Sequence, residues 1–474
     1  MPVAASPTFA LQPAAEQVAL STNYISNFNF MNQYLPDIYE KEFARYGNRT
    51  VASFLRLVSA ELPCTSDLIK WAEQGRLHTK YTNCLSGGAL NAATATITVS
   101  DSGVTNVAIR PGQTVFISVN STGVSNKAIV TSVPTATTFT VAYYSGTGQA
   151  FAGAGNTITV WVYGSEFRKG TSGMVGSLEG EDDFYENNPI ILKDRYAVSG
   201  SDLAQIGWVE VTTENGATGY LWYLKSEHET RLRFEDYLET AMLEAVPAEV
   251  GSGVLSQSVN TAVGNKGSFG VFHVVAQRGN VWSGGYATTL ADWDSIISRL
   301  DRQGAIEENV VFVNRDFGFD IDDMLAAQNA GYSGGTSWGL FDNDKEMALN
   351  LGFTGFRRGY DFYKSDWKYL NDPTLRGNLS TAAGTATGTI TGLLVPAGST
   401  NVYDQVLGKS VKRPFLHVRY RASEAEDRKY KTWVTGSAGG AQTSDLDAME
   451  VHFLSERCVC TLGANNFMLF RYGA

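Results

Sequence analysis

The stretch ILKDRYAVSGSDLAQIGWVEVTTENGATGYLWYLKSEHETRLRFEDYLETAMLEAVP, residues 191–247, decides the reading of this chain. Its second half carries the clearest helix signal in the sequence. Ser226 and Glu229 fit a capping box, in which each side chain satisfies a free backbone N–H of the first turn. Phe234, Tyr237, Leu238, Ala241, Met242 and Ala245 then recur at spacings of three and four and make one apolar face. Glu227–Arg231, Glu229–Arg233 and Arg231–Glu235 stand four apart, each pair contributing about 0.2–0.5 kcal/mol. Pro247 ends the run, so roughly 21 residues at about 1.5 Å each predict a rod of about 30 Å.

The preceding residues, 165–223, read as a long protruding hairpin. SEFRKGTSGMVGSLEGEDDFYENNP is rich in glycine and acids, with little to bury. Strand-like runs follow at Ile206–Val211 and Tyr220–Leu224. A loop of this length inside a compact domain is functional or is ordered by a partner.

Further toward the N-terminus, residues 86–164 contain only Asp101, Arg110 and Lys127 as charged residues. TATITVSD, QTVFISVN, KAIVTSV, TTFTVAYY and NTITVWVY alternate with period two between glycine-, proline- and asparagine-containing turns. Five or six such strands predict a small antiparallel barrel or sandwich. It is flanked by different patterns on both sides and so reads as a domain inserted into a host fold. Residues 1 to about 25 have no period and read as an arm. Helices are predicted at Leu35–Gly47, at Asn48–Leu62 with Val51, Phe54, Leu55 and Val58 on one stripe, and from Thr65 or Ser66 through Trp71, after the break at Pro63.

Toward the C-terminus, helices and strands alternate. Thr289 caps LADWDSIISRLDRQG, whose Leu290, Trp293, Ile296, Ile297 and Leu300 share a face and which Gly304 stops. NVVFVN (Asn309–Asn314) reads as a buried strand and FDIDDMLAAQNAG as a short helix. Ser380–Gly392 resembles a flexible surface loop. PFLHVRYRA, MEVHFLS and NFMLFRY read as late strands.

Composition narrows the function classes. The chain has 474 residues, about three domains by length, and a net charge of −11. That charge argues against a basic nucleic-acid binder and against a cationic membrane binder. Four cysteines are too few for a disulfide scaffold. Cys458 and Cys460 fall on one face of a strand and read as buried thiols rather than as half of a zinc site. The N-terminus lacks the charged and apolar regions of a signal peptide, and no apolar run is long enough to span a bilayer. The expectation is a soluble protein made in a cytoplasm.

Chemical motifs are sparse, and no catalytic, cofactor-binding or metal residues are assigned. Gly331-Tyr332-Ser333-Gly334-Gly335 matches G-x-S-x-G but lacks the strand–turn–helix setting of a nucleophile elbow. Gly408-Lys409-Ser410 resembles the end of a phosphate-binding loop, yet Tyr403 stands where the first glycine belongs. The histidines, His78, His228, His273, His417 and His452, have no partners nearby in sequence. Glu179-Gly180-Glu181-Asp182-Asp183 reads as a solvated loop tip. Asp316, Asp320, Asp322 and Asp323 suggest paired carboxylates, but for Asp320–Asp323 helix N-terminal acids are the simpler reading. The sequons at Asn48, Asn120 and Asn378 read as incidental. An arm, an inserted β module, a long hairpin and a rod-like helix, with no concentrated site, together imply assembly against other copies.

Six stretches carry a resemblance: LKDRYAVSGSDLAQIGWVEV, GYLWYLKSEHETRLRFEDYLE, GAIEENVVFVNR, MALNLGFTGFRRGYDFYKSDWKYLND, VRYRASEAEDRKYKTWVTGS and TSDLDAMEVHFLSERC. They resemble the major capsid proteins of crAss-like tailed bacteriophages, over residues of about 25–85 and 165–474. The resemblance implies an α+β, Hong Kong 97-type capsid fold. Residues 1–85 would be the N-terminal arm and helices, 86–164 the inserted β domain and 165–223 the extension loop. The peripheral domain with its spine helix would take 224–279, the axial domain 280–440, and the return to the peripheral domain 441–474.

The same resemblance implies no enzymatic activity and no cofactor. Its partners would be copies of the chain itself in hexamers and pentamers, with portal and decoration proteins. The shell would enclose double-stranded DNA without sequence-specific binding and without a membrane. The location would be the virion, after assembly in the host bacterial cytoplasm. Some members cross-link a Lys to an Asn; Lys169 and Lys193 lie in the loop, but no Asn is assigned and no cross-link is expected. The alternative is a virion decoration or tail protein with a carbohydrate-binding β module. A secreted polysaccharide-active enzyme would need an export signal and an acidic cleft, and neither is read here.

Overall fold

In the computed structural model, the residues described are 54–58, 60–87, 92–145, 156–177, 180, 182–204, 211–212, 218–219, 222–256, 265–304, 306–330, 354–376, 388–404, 409–422, 425–426, 428–440 and 442–473. The fold is α+β, with more strand than helix. The chain divides into two units: residues 1–51, 193–237 and 430–454 in one, and 52–192, 238–429 and 455–474 in the other.

Among the described residues of the larger unit, two hydrophobic cores stand out. The first is a closed barrel of six strands, Lys80–Gly87, Thr94–Val99, Gln113–Val119, Ser125–Thr135, Thr138–Tyr143 and Thr157–Ser165. Period-two alternation drives it: Ile97, Ile117, Phe139, Val141, Ile158 and Val160 point inward and are fully buried. The barrel begins at Lys80, before the change of composition at Ser86. Tyr81, Cys84 and Ser86 face inward and the polar residues between them face out, so charge content marked the boundary too late.

The second core is built on a mixed sheet in the order Asn280–Trp282, Met468–Arg471, Ile390–Pro396, Glu308–Val313, Tyr360–Asp366 and Gly355–Arg358. The helices Leu290–Gln303 and Arg315–Ala330 cover it, placing Trp293, Ile296, Leu300, Phe317 and Ile321 against Val311, Phe362, Leu394 and Phe470. The first helix forms as its local signals predict. Thr289 and Asp292 complete a capping box, and Gly304 closes the helix at φ 69°, ψ 37°.

Several expectations are corrected. The helix containing Phe54 spans only Phe54–Val58 among the described residues, and Ala60–Cys64 is a strand parallel to Leu416–Arg421. Pro63 is tolerated because that strand is an edge. Residues Thr65–Trp71 do not form a helix; Ile69–Gln74 is a strand antiparallel to Asp182–Asn187. Ser380–Gly392 is not wholly a surface loop, because Ile390–Pro396 is a central strand whose Thr391 is fully buried. Asp182 and Asp183 open a strand rather than a loop tip; Glu179 and Glu181 lie outside the described residues. The predicted elements within residues 1–53, including Leu35–Gly47, also lie outside them, as do the Gly331–Gly335 motif and most of Ile206–Val211.

The long helix spans Trp222–Glu244, so Trp222–Leu224 is helical rather than extended, and Ser226 sits inside the helix, not at its cap. The aromatic run before Ser226 continues the helix by one more turn. In the smaller unit its Phe234 packs on Tyr430 and Phe453, with centroids at 5.5 and 5.8 Å. Tyr237, expected on the apolar face, is exposed. Arg231–Glu235 forms at 3.7 Å, whereas Glu229 pairs with Lys225 and Arg233 with Asp194. In the larger unit, Met242 and Leu243 are fully buried, and buried Glu239 accepts the Phe54 N–H at 3.0 Å. At the helix end, Glu244 accepts from Tyr369 Oη at 2.5 Å and from Arg376 Nη2 at 2.6 Å.

Candidate assembly surface

The extended segment after the barrel is held at both ends and exposes apolar side chains between them. At its start, the Glu166 N–H donates to the Gly112 carbonyl at 2.9 Å. Gly112 has φ 88°, and a Cβ there would stand 2.5 Å from the Phe167 ring, so only glycine admits this seat. A turn at Arg168–Thr171 follows, in which Thr171 Oγ1 donates to the Arg168 carbonyl at 2.7 Å.

At its far end the segment becomes the strand Asp182–Asn187, which pairs with Ile69–Gln74. The Arg278 guanidinium lies 3.7 Å from the Tyr185 ring centroid and 5.9 Å from that of Trp71, and its Nη1 is 3.9 Å from Glu73. This cation–π clamp ties the strand pair to the helix Val271–Arg278. Beside it, Asn187 is 1% exposed. Its Nδ2 donates to the carbonyls of Phe269 (3.0 Å) and Val459 (2.5 Å). Its Oδ1 accepts from Ser268 Oγ and the Phe269 N–H, both at 2.9 Å. A single side chain thus rivets three parts of the chain together.

Phe167, Met174 and Val175 between these anchors, Phe184 on the anchoring strand and Ile191 just beyond it are exposed, Val175 at 76% and Phe184 at 74%. These large apolar side chains are thus left in solvent along a backbone whose position is fixed. Lys169 and Lys193 are exposed on the same stretch.

Of the other residues singled out in the sequence, Cys458, Cys460 and His417 meet on the paired strands Leu416–Arg421 and Ala448–Thr461, and the rest do not join them in one site. Cys64, Cys84, Cys458 and Cys460 are free thiols and buried. The Cys458 thiol is held above its ordinary value by its hydrogen bond to Cys460 and by burial. His78 is exposed. His273 lies in the helix Val271–Arg278, and burial lowers its pKa. His417 is buried. His452 stacks on Trp433 at 5.0 Å with its Nε2 at 2.7 Å from Thr435 Oγ1. Asp320–Asp323 are not N-terminal: the helix starts at Arg315, so only Asp316 is in its first turn, while Asp322 pairs with Lys364. Lys409 and Ser410 open a hairpin strand rather than a helix, which excludes a phosphate-binding loop there. Asn120 Nδ2 donates to the Thr82 carbonyl at 2.8 Å.

Among the described residues, no group of three or more His, Cys, Asp or Glu is placed to hold a metal ion. No described helix is long and apolar enough to cross a membrane. Sequence reasoning missed Asn187 and Arg278. Their partners lie 81 to 272 residues away for Asn187 and more than 90 for Arg278, and nothing local marks them.

No protein-family model and no curated protein matches this chain. Among solved structures it is similar to a chain of Microbacterium phage Oxtober96 (11% identity, 94% of this chain and 99% of that one, TM-score 0.40). A chain of Mycobacterium phage Ogopogo is similar at 9% identity, over 94% of this chain and 99% of that one, with a TM-score of 0.41. A third is the capsid of a native GTA particle, at 10% identity over 95% and 99%, with a TM-score of 0.39. At these scores and identities, the likenesses assign neither a fold family nor a function to this chain.

Proposed function

We propose that this chain is a structural shell subunit, the major capsid protein of a crAss-like tailed bacteriophage with a Hong Kong 97-type fold. Its role is to assemble, as hexamers and pentamers, into the icosahedral head that encloses double-stranded DNA, alongside portal and decoration proteins. The residues 165–223 act as the extension loop and the helix Trp222–Glu244 as the spine. The barrel is an insertion into the peripheral part: the strands that lead into and out of it, Ile69–Gln74 and Asp182–Asn187, lie side by side, which supports that reading.

The observation that carries the proposal is the anchored segment with Phe167, Met174, Val175, Phe184 and Ile191 in solvent. Burying a large apolar side chain stabilises by about 1.5–3 kcal/mol, so five of them, even half covered, supply about 5 kcal/mol per subunit. Many such contacts closing one shell act together. The acidic balance of the chain leaves a packaged genome free to slide, because few phosphate contacts hold it.

The test replaces residues 168–180 by a short Gly/Ser linker. The cut stops short of Asp182 because the strand beyond it pairs with Ile69–Gln74. The expected outcome is a folded chain, with unchanged circular dichroism, that forms no shells in electron micrographs. Normal particles from this variant overturn the proposed role of the segment.

A further inference from the structure

The outer face of the barrel carries a row of exposed rings on strands that are otherwise threonine, serine and asparagine. Trp161, Tyr163 and Tyr144 are 39%, 42% and 50% exposed. Phe116 and Trp161 face each other across adjacent strands, with centroids 5.7 Å apart, and Trp161 and Tyr163 are 6.0 Å apart. Beside them Thr114, Lys127, Tyr144, Tyr163 and Glu166 line a shallow depression of about 540 Å³. The Lys127 ammonium is 5.8 Å from the Tyr163 ring, and the Tyr144 hydroxyl donates to the Glu166 carboxylate. Burial and that carboxylate push the Tyr144 phenol up to about 12, so it remains a donor at neutral pH.

This combination selects a ligand chemistry. One cation and one anion in the same depression cancel, which disfavours a phosphate-rich or polycationic ligand. Flat, apolar ring faces bordered by an ammonium, a carboxylate and hydroxyls match a molecule with an apolar C–H face and a rim of hydroxyls. The depression is of a size that holds a small ligand. We propose that this face of the barrel binds a chain of neutral hexopyranose sugars, with Trp161 and Tyr163 as stacking platforms and Lys127, Tyr144 and Glu166 as partners for the sugar hydroxyls. The site is built on the barrel and on Glu166, the residue that follows its last strand, and sugar binding by the unassembled chain is measured separately from shell assembly.

The test titrates the purified full-length chain with cellohexaose, chitohexaose and maltohexaose by calorimetry, with a twenty-residue oligothymidine as a second probe. At least one hexasaccharide binds. Trp161→Ala weakens it about tenfold or more, and Trp161→Phe recovers part of the loss, a tenfold change being about 1.4 kcal/mol, within what one aromatic contact supplies. Glu166→Gln, a surface change that leaves the barrel core intact, weakens binding several-fold, and Phe184→Ala, outside the site, has no effect. The inference is overturned if no hexasaccharide binds at up to about 10 mM. It is equally overturned if binding is unmoved by both Trp161→Ala and Glu166→Gln, or if the oligothymidine is the ligand whose binding Trp161→Ala removes.

Discussion

Replacing Asn187 by alanine tests the anchoring of the extended segment. At a side chain that is 1% exposed, the substitution removes four long-range hydrogen bonds, two donated to the carbonyls of Phe269 and Val459 and two accepted from Ser268 Oγ and the Phe269 N–H, besides the one accepted from the adjacent Asn188 N–H. At about 1 kcal/mol net per bond, and with the partner groups left buried, the loss comes to about 3–4 kcal/mol. A water that entered the gap would restore only part of it. The neighbouring Lys70–Glu186 ion pair, 3.0 Å long, is the control, because its side chains are 57% and 50% exposed and such pairs contribute about 0–1 kcal/mol. Urea unfolding of the dilute, unassembled chain, followed by tryptophan fluorescence, measures both variants. Amide exchange at Phe269 and along Asp182–Asn187 locates the effect. The reasoning is refuted if Asn187→Ala lies within about 1 kcal/mol of the parent, or costs no more than Glu186→Gln.

Thr289→Ala removes the hydroxyl arm of the capping box, leaving Asp292 to accept the backbone N–H, and costs about 1 kcal/mol, read as faster exchange in Leu290–Gln303, while Thr289→Ser restores most of it. Gly304→Ala forces a Cβ into a left-handed residue and costs about 1 kcal/mol by thermal unfolding. Phe139→Ala, at a fully buried position of the barrel, costs about 3–5 kcal/mol and exposes the barrel amides before those of the six-stranded sheet. Burial lowers the pKa of His273, so the folded state favours the neutral ring. The unfolded chain then binds the extra proton, and stability falls as pH drops below about 6.5, by at most about 1.4 kcal/mol per pH unit. His273→Gln flattens that part of a stability–pH curve measured by urea midpoints.

What the sequence revealed was local. The Leu290–Gln303 helix carries its cap, its apolar stripe and its stop within sixteen residues, and it forms as read. The barrel strands announce themselves by alternation, because each has one face inside and one in solvent. Over Ala60–Cys64 and Ile69–Gln74 the local helix signals are overridden by strand partners distant in the chain, Leu416–Arg421 and Asp182–Asn187. Ile390–Gly392 resembles a loop in sequence because small residues such as Gly392 look flexible. In the sheet Gly392 faces the Phe312 carbonyl, 2.9 Å from where a Cβ would be. At the candidate surface, the looseness of 165–189 was legible from composition, but the Asn187 rivet and the Arg278 clamp exist only once the chain is folded.

The central claim is that this chain becomes complete by covering its extended segment with other copies of itself. Purified full-length protein, sized by light scattering with electron microscopy across a range of concentration and salt, tests it most directly. The account predicts rings or closed shells many times the subunit mass; a uniform population of single chains under every condition would contradict it.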